Sequence, residues 1–373
     1  MKRIGITVSL SKGIWSNGIN QNAIYFANLL KEIGYSVYLI HDLPSEIEDI
    51  KEIRTLTINK SYAIPFNLMV QFGFAVHKPL YDKYKAKNKN MKLVFYECGN
   101  KFIMDMEAIL FKQQEDTVIK DKVKPNQIWS IPQMEKSNLE YYKFLSNQAN
   151  ATVVPFIWDP MSIEDYCKEH GILTYTSRET KRIGVLEANS SVMKNMLLPT
   201  VILDGYEKEY KDLEKVILYT TEHLKNGETF KSLVSRTQLF KKGILFSNPR
   251  LPVLDCLSKD LDVVLSWQWE NNLNYMWLDV AWMGWPIIHN GSICQDIGYY
   301  YEEFKVKDAI KQLRTAIEVH DADEEYLNRN RKIIERYTHK NENLKEQYKM
   351  LVENVLNNKF EQYAYDWKTN TIY

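Results

Sequence analysis

The stretch IGITVSLSKGIWSNGINQNAIYFANLLKEIGYSVYLI, residues 4–40, indicates an α/β fold. Residues 4–10 are mostly apolar, as in a strand that is buried on both faces of a parallel sheet. A loop rich in Gly, Ser and Asn follows, and residues 19–33 carry apolar side chains at helical spacing until Gly34 ends the helix. Residues 35–40 are a second apolar run, so the stretch predicts a β-α-β unit with parallel strands.

The alternation of strands and helices continues through the rest of the chain. Short apolar runs predict further strands at residues 67–73, 92–96, 127–131, 151–155, 181–186, 215–220, 244–246, 262–266 and 286–289. Helical patterns cover residues 191–203, 272–283 and 323–357. The sequence therefore predicts an α/β domain at residues 1–165, a second at residues 166–340, and a helical tail at residues 341–373 that packs back on the first domain.

The composition is that of a globular protein, because 45% of the 373 residues are apolar and 26% are charged. Lys and Arg number 48, as do Asp and Glu, which argues against a uniformly basic nucleic-acid-binding protein. The four cysteines are too far apart for a zinc ribbon or a disulfide scaffold, so we expect a reducing, cytoplasmic setting. No segment has about 18 uninterrupted apolar residues, so no membrane-spanning helix is predicted.

The charge is unevenly distributed along the chain. Residues 1–160 contain 20 Lys and Arg against 16 Asp and Glu, whereas the remaining residues contain 28 against 32. The densest basic run is residues 81–92, in which Lys83, Lys85 and Lys87 stand at alternate positions. Such a run is either the solvated surface of a helix or a patch that contacts phosphates. As a patch, it favours an anionic partner such as DNA or an anionic glycan.

The glycines of the first loop, Gly13 and Gly18, have the G-x-x-x-x-G spacing of a P-loop. Ile19 and Asn20 follow instead of Lys and Ser or Thr, which argues against an ATP-hydrolysing Walker A site. The G-x-G-x-x-G dinucleotide fingerprint is absent as well. The loop is therefore either an ordinary tight turn or a helix N-terminus whose backbone amides hold an anion or a sugar hydroxyl.

A second informative stretch is SWQWENNLNYMWLDVAWMGWPIIHN, residues 266–290, which predicts a polar loop, a helix, a Gly–Pro turn and a strand. Glu270 is predicted at the start of this helix, and Asp279 lies two to three turns further on. A carboxylate on such a helix can bind both hydroxyls of a ribose, and the amides of Asn271 and Asn272 can meet a diphosphate. The alternative is a core helix whose aromatic side chains only pack and whose Glu270 is an N-terminal cap.

The run LDVAWMGWP, residues 278–286, resembles the acidic-residue, small-helix, Gly-x-Pro segment of GT-B glycosyltransferases. Asp279 then matches the Glu that binds the donor ribose in that family, and Glu270 matches an earlier acidic residue that faces the sugar. The chain departs from the family in having Asp for Glu and a spacing of nine residues, one more than usual. It is also similar to a little-characterised bacterial and phage family of GT-B-like proteins, at residues 17–22, 187–194, 268–271 and 296–301.

The resemblance implies an α/β GT-B fold, in which two Rossmann-like domains face a central cleft. It also implies sugar transfer from a nucleotide sugar, a UDP-sugar, without a required catalytic metal. In this family the first domain receives the acceptor and the second binds the donor. We therefore assign donor contacts to Asn17, Gly18, Glu187, Asn189, Lys194, Gln268, Asn271, Asn272 and Asp279, and acceptor contacts to Trp15, Lys83, Lys85, Lys87 and Asn100.

Catalytic roles are assigned to Glu97 and Glu270, with Lys194 stabilising the leaving group. Lys194 is predicted to open a helix after the first strand of the second half, where it either neutralises the leaving diphosphate or is simply solvated. Glu97 follows the strand at residues 92–96, and a carboxylate at the carboxyl end of a parallel strand faces the interdomain crevice. Glu97 either acts as the base of an inverting reaction or only hydrogen-bonds the acceptor, and a retaining enzyme needs no such base.

Metal ligation is not predicted from the acidic residues or histidines. The D-x-D triplets at residues 260–262 and 321–323 are interpreted as solvated turns rather than metal sites. His289 stands on a predicted buried strand, and we interpret it as a packed histidine.

These observations predict a glycosyltransferase whose acceptor is 5-hydroxymethylcytosine in phage DNA. The DNA acceptor rests on the basic first half of the chain. A surface glycan or another saccharide is the alternative acceptor. A protein that binds nucleotide sugars or nucleic acid without catalysis is the alternative from another class.

Overall fold

The computed structural model describes residues 1–11, 18–111, 123–147, 150–178 and 181–373. The described residues form two compact units, which we call unit 1 and unit 2. Unit 1 comprises residues 1–159 and 336–373, and unit 2 comprises residues 160–335. The chain therefore passes from unit 1 to unit 2 once and returns to unit 1 for its last segment.

Unit 1 is built on a parallel sheet of seven strands among the described residues, in the order β3-β2-β1-β4-β5-β6-β7. The strands are β1 (Arg3–Val8), β2 (Ser36–His41), β3 (Arg54–Thr57), β4 (Leu68–Gln71), β5 (Lys92–Glu97), β6 (Gln127–Ser130) and β7 (Ala151–Val153). The helices between them are α1 (Gly18–Glu32), α2 (Ile58–Ser61), α3 (Lys78–Lys87), α4 (Lys101–Phe111) and α5 (Glu135–Ser146). The predicted β-α-β unit of residues 4–40 is confirmed, since β1 and β2 pair in parallel around α1.

Unit 2 contains a second parallel sheet, which has six strands in the part of the chain that is described, in the order β10-β9-β8-β11-β12-β13. Its strands are β8 (Arg182–Val185), β9 (Lys215–Leu218), β10 (Leu245–Ser247), β11 (Val263–Leu265), β12 (Ile287–His289) and β13 (Tyr299–Tyr300). Its helices are α6 (Met161–His170), α7 (Leu197–Tyr210), α8 (Glu228–Val234), α9 (Gln238–Lys241), α10 (Val253–Asp260), α11 (Tyr275–Trp282), α12 (Val306–Val319) and α13 (Tyr326–Ile334).

The returning segment contributes α14 (Glu342–Leu356) and a hairpin of β14 (Tyr365–Asp366) and β15 (Thr371–Ile372) to unit 1. Tyr348 of α14 is fully buried, and its ring packs against Phe26 of α1 at 5.3 Å between centroids. Its hydroxyl lies 2.6 Å from the hydroxyl of Tyr96 on β5 and donates to the carbonyl of Pro155 over 2.6 Å. An aromatic cluster with satisfied hydroxyls therefore joins the returning segment to the sheet of unit 1.

Three of the predicted helices begin later than predicted, and an asparagine side chain caps two of the observed helices, α11 and α14. The helix predicted at residues 191–203 starts at Leu197, whose amide donates to Asn195 Oδ1 over 3.1 Å. The helix predicted at residues 272–283 starts at Tyr275, after the cap Asn274. The pattern at residues 323–357 splits into α13 and α14, and Asn341 caps the second of these.

No helix among the described residues is long and apolar enough to cross a membrane.

Gly73 is required where the chain leaves β4, because a methyl group at this position would overlap the backbone of β1 and lie 2.7 Å from Val8 Cα. We expect Gly73→Ala to lower the free energy of unfolding by about 3 kcal/mol, since backbone atoms cannot move aside as a flexible side chain can. Urea denaturation measures this change. Gly99→Ala is the control, because its methyl group would lie 3.7 Å from Met104 Sδ, and we expect a change within about 0.5 kcal/mol. If Gly73→Ala and Gly99→Ala are equally stable, the backbone of β1 does not limit the side chain at position 73.

Candidate functional site

The loops at the carboxyl ends of β8 and β11 in unit 2 are joined by backbone pairing. Lys194 forms an antiparallel bridge with Gln268, and a second bridge links Lys194 to Ser191. The amide of Trp269 donates to the carbonyl of Met193 over 2.8 Å. Lys194 therefore lies in a loop that is paired with the β11 loop, and its predicted place at the opening of a helix is wrong because α7 begins only at Leu197.

A buried carboxyl, Glu187, accepts hydrogen bonds from both sides of this loop pair. Its side chain accepts from Ser266 Oγ, and from Gln268 Nε2 over 3.0 Å. Ser266 Oγ in turn accepts from Trp277 Nε1 of α11 over 2.7 Å. Burial raises the pKa of Glu187 to about 7, although Ser266, Lys194 and Gln268 each oppose the shift. The carboxyl is therefore poised to exchange a proton near neutral pH.

The amide of Gln268 extends the same network toward α11. Its Oε1 accepts from Asn271 Nδ2, and from Asn274 Nδ2 over 3.0 Å. The backbone amide of Gln268 donates to Asn290 Oδ1 over 2.9 Å, and its carbonyl accepts from Asn290 Nδ2 over 2.8 Å. The structure thus brings the predicted donor residues Glu187, Gln268 and Asn271 together, with Gln268 hydrogen-bonded to both of the others.

Lys194 places positive charge beside Glu187, and Arg250 interacts electrostatically with Lys194. Burial lowers the pKa of the half-buried Lys194 ammonium, nearby Glu187 raises it, and Arg250 lowers it further by like-charge repulsion. Arg250 is exposed and follows β10, the outermost strand on that side of the sheet. Arg250 was not among the predicted site residues, and its sequence signal is a basic residue in the Asn-Pro turn just past a predicted strand. Two cations at the carboxyl edge of a parallel sheet form a suitable place for a diphosphate.

Asn189 shapes the loop that carries Lys194. Its backbone is in the left-handed region with φ of 52°, which is uncommon for a residue other than Gly. Its Nδ2 donates to the carbonyls of Glu187 and Tyr219 over 2.9 and 3.0 Å, and its Oδ1 accepts from the amide of Met196 over 2.8 Å. Its own amide donates to the carbonyl of Lys194 over 2.9 Å. The predicted donor residue Asn189 therefore holds the position of Lys194.

The remaining predicted donor residues lie on or near α11. Glu270 has φ of 51° and stands in the loop before α11, so its predicted place at the start of the helix is wrong. The helix starts later because the side chain of Asn274 accepts a 3.0 Å hydrogen bond from the amide of Met276. Asn272 is half-buried in the same loop, and Asp279 is half-buried on the second turn of α11.

In unit 1, the half-buried Glu97 ends β5. Burial raises the pKa of its carboxyl to about 7, and nearby Lys101 partly opposes this shift. Asn100 follows it and is buried, with its Oδ1 accepting from the amide of Ile103 over 3.1 Å and from Asn138 Nδ2 over 2.9 Å. The carboxyl of Glu97 therefore changes its protonation state near neutral pH, while the side chain of Asn100 caps α4.

The predicted acceptor lysines lie on α3. Lys85 Nζ donates to the carbonyls of Lys89 and Met91 over 2.9 and 2.8 Å, beside the start of β5, whereas Glu97 stands at the end of that strand. Lys83 Nζ lies 4.4 Å from the ring centroid of Tyr62. Lys87 is exposed on the last turn of α3. Lys85 and Glu97 are therefore at opposite ends of β5.

The first loop is described only from Gly18 onward, where α1 begins. The predicted contacts Asn17 and Trp15 lie outside the described residues.

The acidic triplets and His289 have structural roles. Within the described ranges, no three His, Cys, Asp or Glu side chains are grouped to hold a metal ion. Asp262 is fully buried and pairs with Arg178 at 3.1 Å and Arg182 at 2.9 Å, so the prediction of a solvated turn is wrong for this residue. His289 is packed as predicted, because its Nδ1 accepts from the amide of Gly291 and its Nε2 bonds the carbonyl of Ile297. Burial lowers its pKa to about 4.

A family model described as "Protein of unknown function (DUF2827)" matches residues 4–352. The chain belongs to this family. No curated protein matches the DUF2827 chain in a sequence comparison.

Solved structures share the fold of the DUF2827 chain at low sequence identity. An alpha-glucosyltransferase in complex with UDP and a 13-mer DNA containing an HMU base is 10% identical, with a TM-score of 0.58 over 95% of this chain and 99% of that chain. A glycosyltransferase from Rickettsia africae is 12% identical, with a TM-score of 0.54 over 95% and 98%. Sucrose-phosphate synthase from Thermosynechococcus elongatus is 10% identical, with a TM-score of 0.54 over 96% and 100%. The predicted α/β GT-B fold of two Rossmann-like domains is confirmed.

We expect Asn189→Ala to lower the free energy of unfolding by about 2 kcal/mol, because the loop loses three hydrogen bonds and keeps an unfavourable backbone angle. Asn189→Gly removes the same bonds but relieves the backbone, so it should cost about 1 kcal/mol less. Urea denaturation measures both. Asn328→Ala, on the exposed face of α13, is the control and should change stability by less than about 0.5 kcal/mol. A larger loss for Asn189→Gly than for Asn189→Ala would contradict the backbone argument.

Proposed function

We propose that the chain is a glycosyltransferase that moves a sugar from a nucleotide-sugar donor, a UDP-sugar, to an acceptor hydroxyl. The observation that carries this proposal is Lys194, which lies beside the buried Glu187 and interacts electrostatically with Arg250, at the carboxyl edge of a Rossmann-like sheet in a GT-B fold. A diphosphate leaving group gains negative charge as the bond to the sugar breaks, and fixed cations stabilise that charge. The half-buried carboxylate of Asp279 is proposed to bind the ribose hydroxyls, Glu270 to face the sugar, and the backbone amide of Asn272 to meet the diphosphate.

On the acceptor side, we assign Glu97 as the base of an inverting reaction. The acceptor hydroxyl gives its proton to the Glu97 carboxylate as its oxygen forms a bond to the anomeric carbon, and the bond from that carbon to the diphosphate breaks. The assignment is supported by the place of Glu97 at the end of β5 and by a pKa near 7, which suits a base at neutral pH. In a retaining reaction Glu97 would instead hydrogen-bond the acceptor.

For the acceptor, the first proposal is 5-hydroxymethylcytosine in phage DNA. It is supported by the excess of Lys and Arg in residues 1–160 and by the exposed Lys83 and Lys87 on α3. A saccharide acceptor, such as a surface glycan, is the second proposal. It is favoured by Lys85, because an ammonium bonded to two backbone carbonyls is less available to a phosphate.

Two further assignments accompany the activity. We propose that this DUF2827 chain is a member of the little-characterised bacterial and phage group of GT-B-like proteins that its sequence resembles. We also propose a cytoplasmic location, including the cytoplasm of an infected host cell, which agrees with the free thiols of Cys98, Cys167, Cys256 and Cys294.

Turnover separates the enzyme from a protein that only binds nucleotide sugars. The full chain is incubated with labelled UDP-glucose and, in separate reactions, duplex DNA with 5-hydroxymethylcytosine, the same duplex with cytosine, and a mixture of oligosaccharides. Label in the hydroxymethylated duplex alone supports the DNA acceptor, and label in the saccharides alone supports the second proposal. If the chain neither transfers sugar from nor hydrolyses UDP-glucose, UDP-galactose or UDP-N-acetylglucosamine, the proposed enzymatic activity is rejected.

Removing either cation should weaken donor binding. We expect Lys194→Ala and Arg250→Ala each to raise the Kd for UDP-glucose about 10- to 100-fold, the range for loss of a charge-assisted hydrogen bond. Calorimetry measures the Kd. Lys231→Ala is the matched control, because that lysine lies in the same unit in an exposed pair with Glu228, and its Kd should equal that of the wild type. If Lys194→Ala binds UDP-glucose with the wild-type Kd, Lys194 does not bind the donor diphosphate, and the proposal loses its main support.

The pH dependence of turnover tests Glu97. A base acts only when ionised. With a pKa of about 7 for Glu97, kcat should therefore be low below pH 7 and should increase in one step as the pH rises through 7. We expect Glu97→Gln to lower kcat about 10²- to 10⁴-fold and to abolish this pH step. Glu140→Gln, at an exposed position on α5, is the control and should keep the wild-type profile. A wild-type pH step in Glu97→Gln would show that another group is the base.

A further inference from the structure

The hydrogen bonds of Glu187 link it to the helix that carries Asp279. Ser266 Oγ donates to Glu187 and accepts a 2.7 Å hydrogen bond from Trp277 Nε1. Trp277 stands on α11, two residues before Asp279, and its ring stacks on His289 at 4.8 Å between centroids. Gln268 Nε2 and the backbone of Trp267 supply further hydrogen bonds to the same carboxyl. Glu187 is 1% exposed, so this set of donors replaces water for its ionised form.

Lys194 and the phenol of Tyr301 both interact electrostatically with Glu187. Arg250 in turn interacts with Lys194. The hydroxyl of Tyr301 donates to the carbonyl of Ser266 over 2.9 Å, and burial raises the pKa of this phenol well above its usual value, so Tyr301 stays neutral. Glu187 therefore balances the charge of Lys194 when no anion is bound.

A nucleoside diphosphate sugar changes this balance. It brings two negative charges to Lys194 and Arg250, and their repulsion raises the free energy of a nearby buried carboxylate. Uptake of a proton from solvent removes that repulsion. The hydroxyl of Ser266 can accommodate the protonated carboxyl, because a hydroxyl acts both as donor and as acceptor.

We propose that Glu187 is a positioning residue whose negative charge balances the Lys194 ammonium before the donor binds, and that it takes up one proton when a nucleoside diphosphate sugar occupies Lys194 and Arg250. Trp277 and Ser266 stabilise the ionised form of Glu187 and so set the pH range of the exchange. The inference rests on the proposed function and adds a proton equilibrium that is linked to donor binding.

Calorimetry of the full chain with UDP-glucose, in buffers of different ionisation enthalpy at each pH, measures the protons taken up. UDP-glucose is a suitable probe because its diphosphate is ionised throughout the neutral range. With a free-state pKa of about 7 for Glu187, we expect about half a proton per UDP-glucose at pH 7 and almost none at pH 5.5. Glu187→Gln should abolish the uptake. Glu228→Gln, an exposed carboxylate on α8 of the same unit, should retain it in full.

Trp277→Phe gives a readout that loss of packing alone does not produce. The phenyl ring still packs beside His289, but Ser266 loses the N–H donor, so the ionised form of Glu187 is less stable and its pKa rises. The pH of maximal proton uptake should then move upward. If Glu187→Gln does not fold, this shift in Trp277→Phe decides the question in its place.

Each result supports or overturns the inference. Equal proton uptake in the wild type and in Glu187→Gln, or an unchanged pH maximum in Trp277→Phe, would overturn it while the proposed glycosyltransferase stands. Failure of UDP-glucose, UDP-galactose and UDP-N-acetylglucosamine to bind the wild type at any pH would reject the UDP-sugar donor and this inference together.

Discussion

The burial of Glu187 beside Lys194 is the constraint on which the candidate donor site depends. A carboxylate removed from water needs hydrogen-bond donors and a counter-charge, or it adopts its neutral form. The donors come from Ser266 and Gln268 after β11, and the counter-charge comes from the loop after β8. The two loops are consequently paired through the backbone of Lys194 and Gln268. One buried charge thus determines how the loops that we assign to the donor lie relative to each other.

The backbone around this charge is strained where the strands end. Asn189, Thr220 and Glu270 have φ of 52°, 56° and 51°, and they follow β8, β9 and β11, which are neighbours in the sheet. The left-handed region is unfavourable for such residues, above all for the β-branched Thr220. Strained residues persist where the surroundings determine their conformation, as the four hydrogen bonds of Asn189 do here. Their place at the carboxyl edge of the sheet agrees with a site that requires defined loop geometry.

The architecture could be predicted from the sequence because apolar periodicity determines which face of an element is buried. The β-α-β pattern of residues 4–40 indicated the α/β class, and the resemblance of residues 278–286 to GT-B glycosyltransferases implied the GT-B fold. Periodicity did not reveal β3, whose sequence RTLT has no apolar run, nor which of several asparagines caps a helix. Glu187 and Gln268 were both predicted as donor contacts, but the electrostatic interaction of Arg250 with Lys194 was not predicted, because it depends on strand order. The side chains of Lys85 and Asn100, which were predicted to contact the acceptor, are instead hydrogen-bonded to backbone groups of unit 1.

Glu97 and Glu187 share one physical property with opposite consequences for the reaction. Burial raises the pKa of both carboxyls to about 7, in different units of the chain. Below pH 7, neutral Glu187 leaves Lys194 and Arg250 unopposed, so an anionic donor binds more tightly, while protonated Glu97 cannot accept a proton. Above pH 7, Glu97 is ionised and active, while the ionised Glu187 repels the diphosphate and weakens donor binding. In the proposed reaction, therefore, kcat and the KM for the donor both rise with pH, so their ratio changes less than either constant alone.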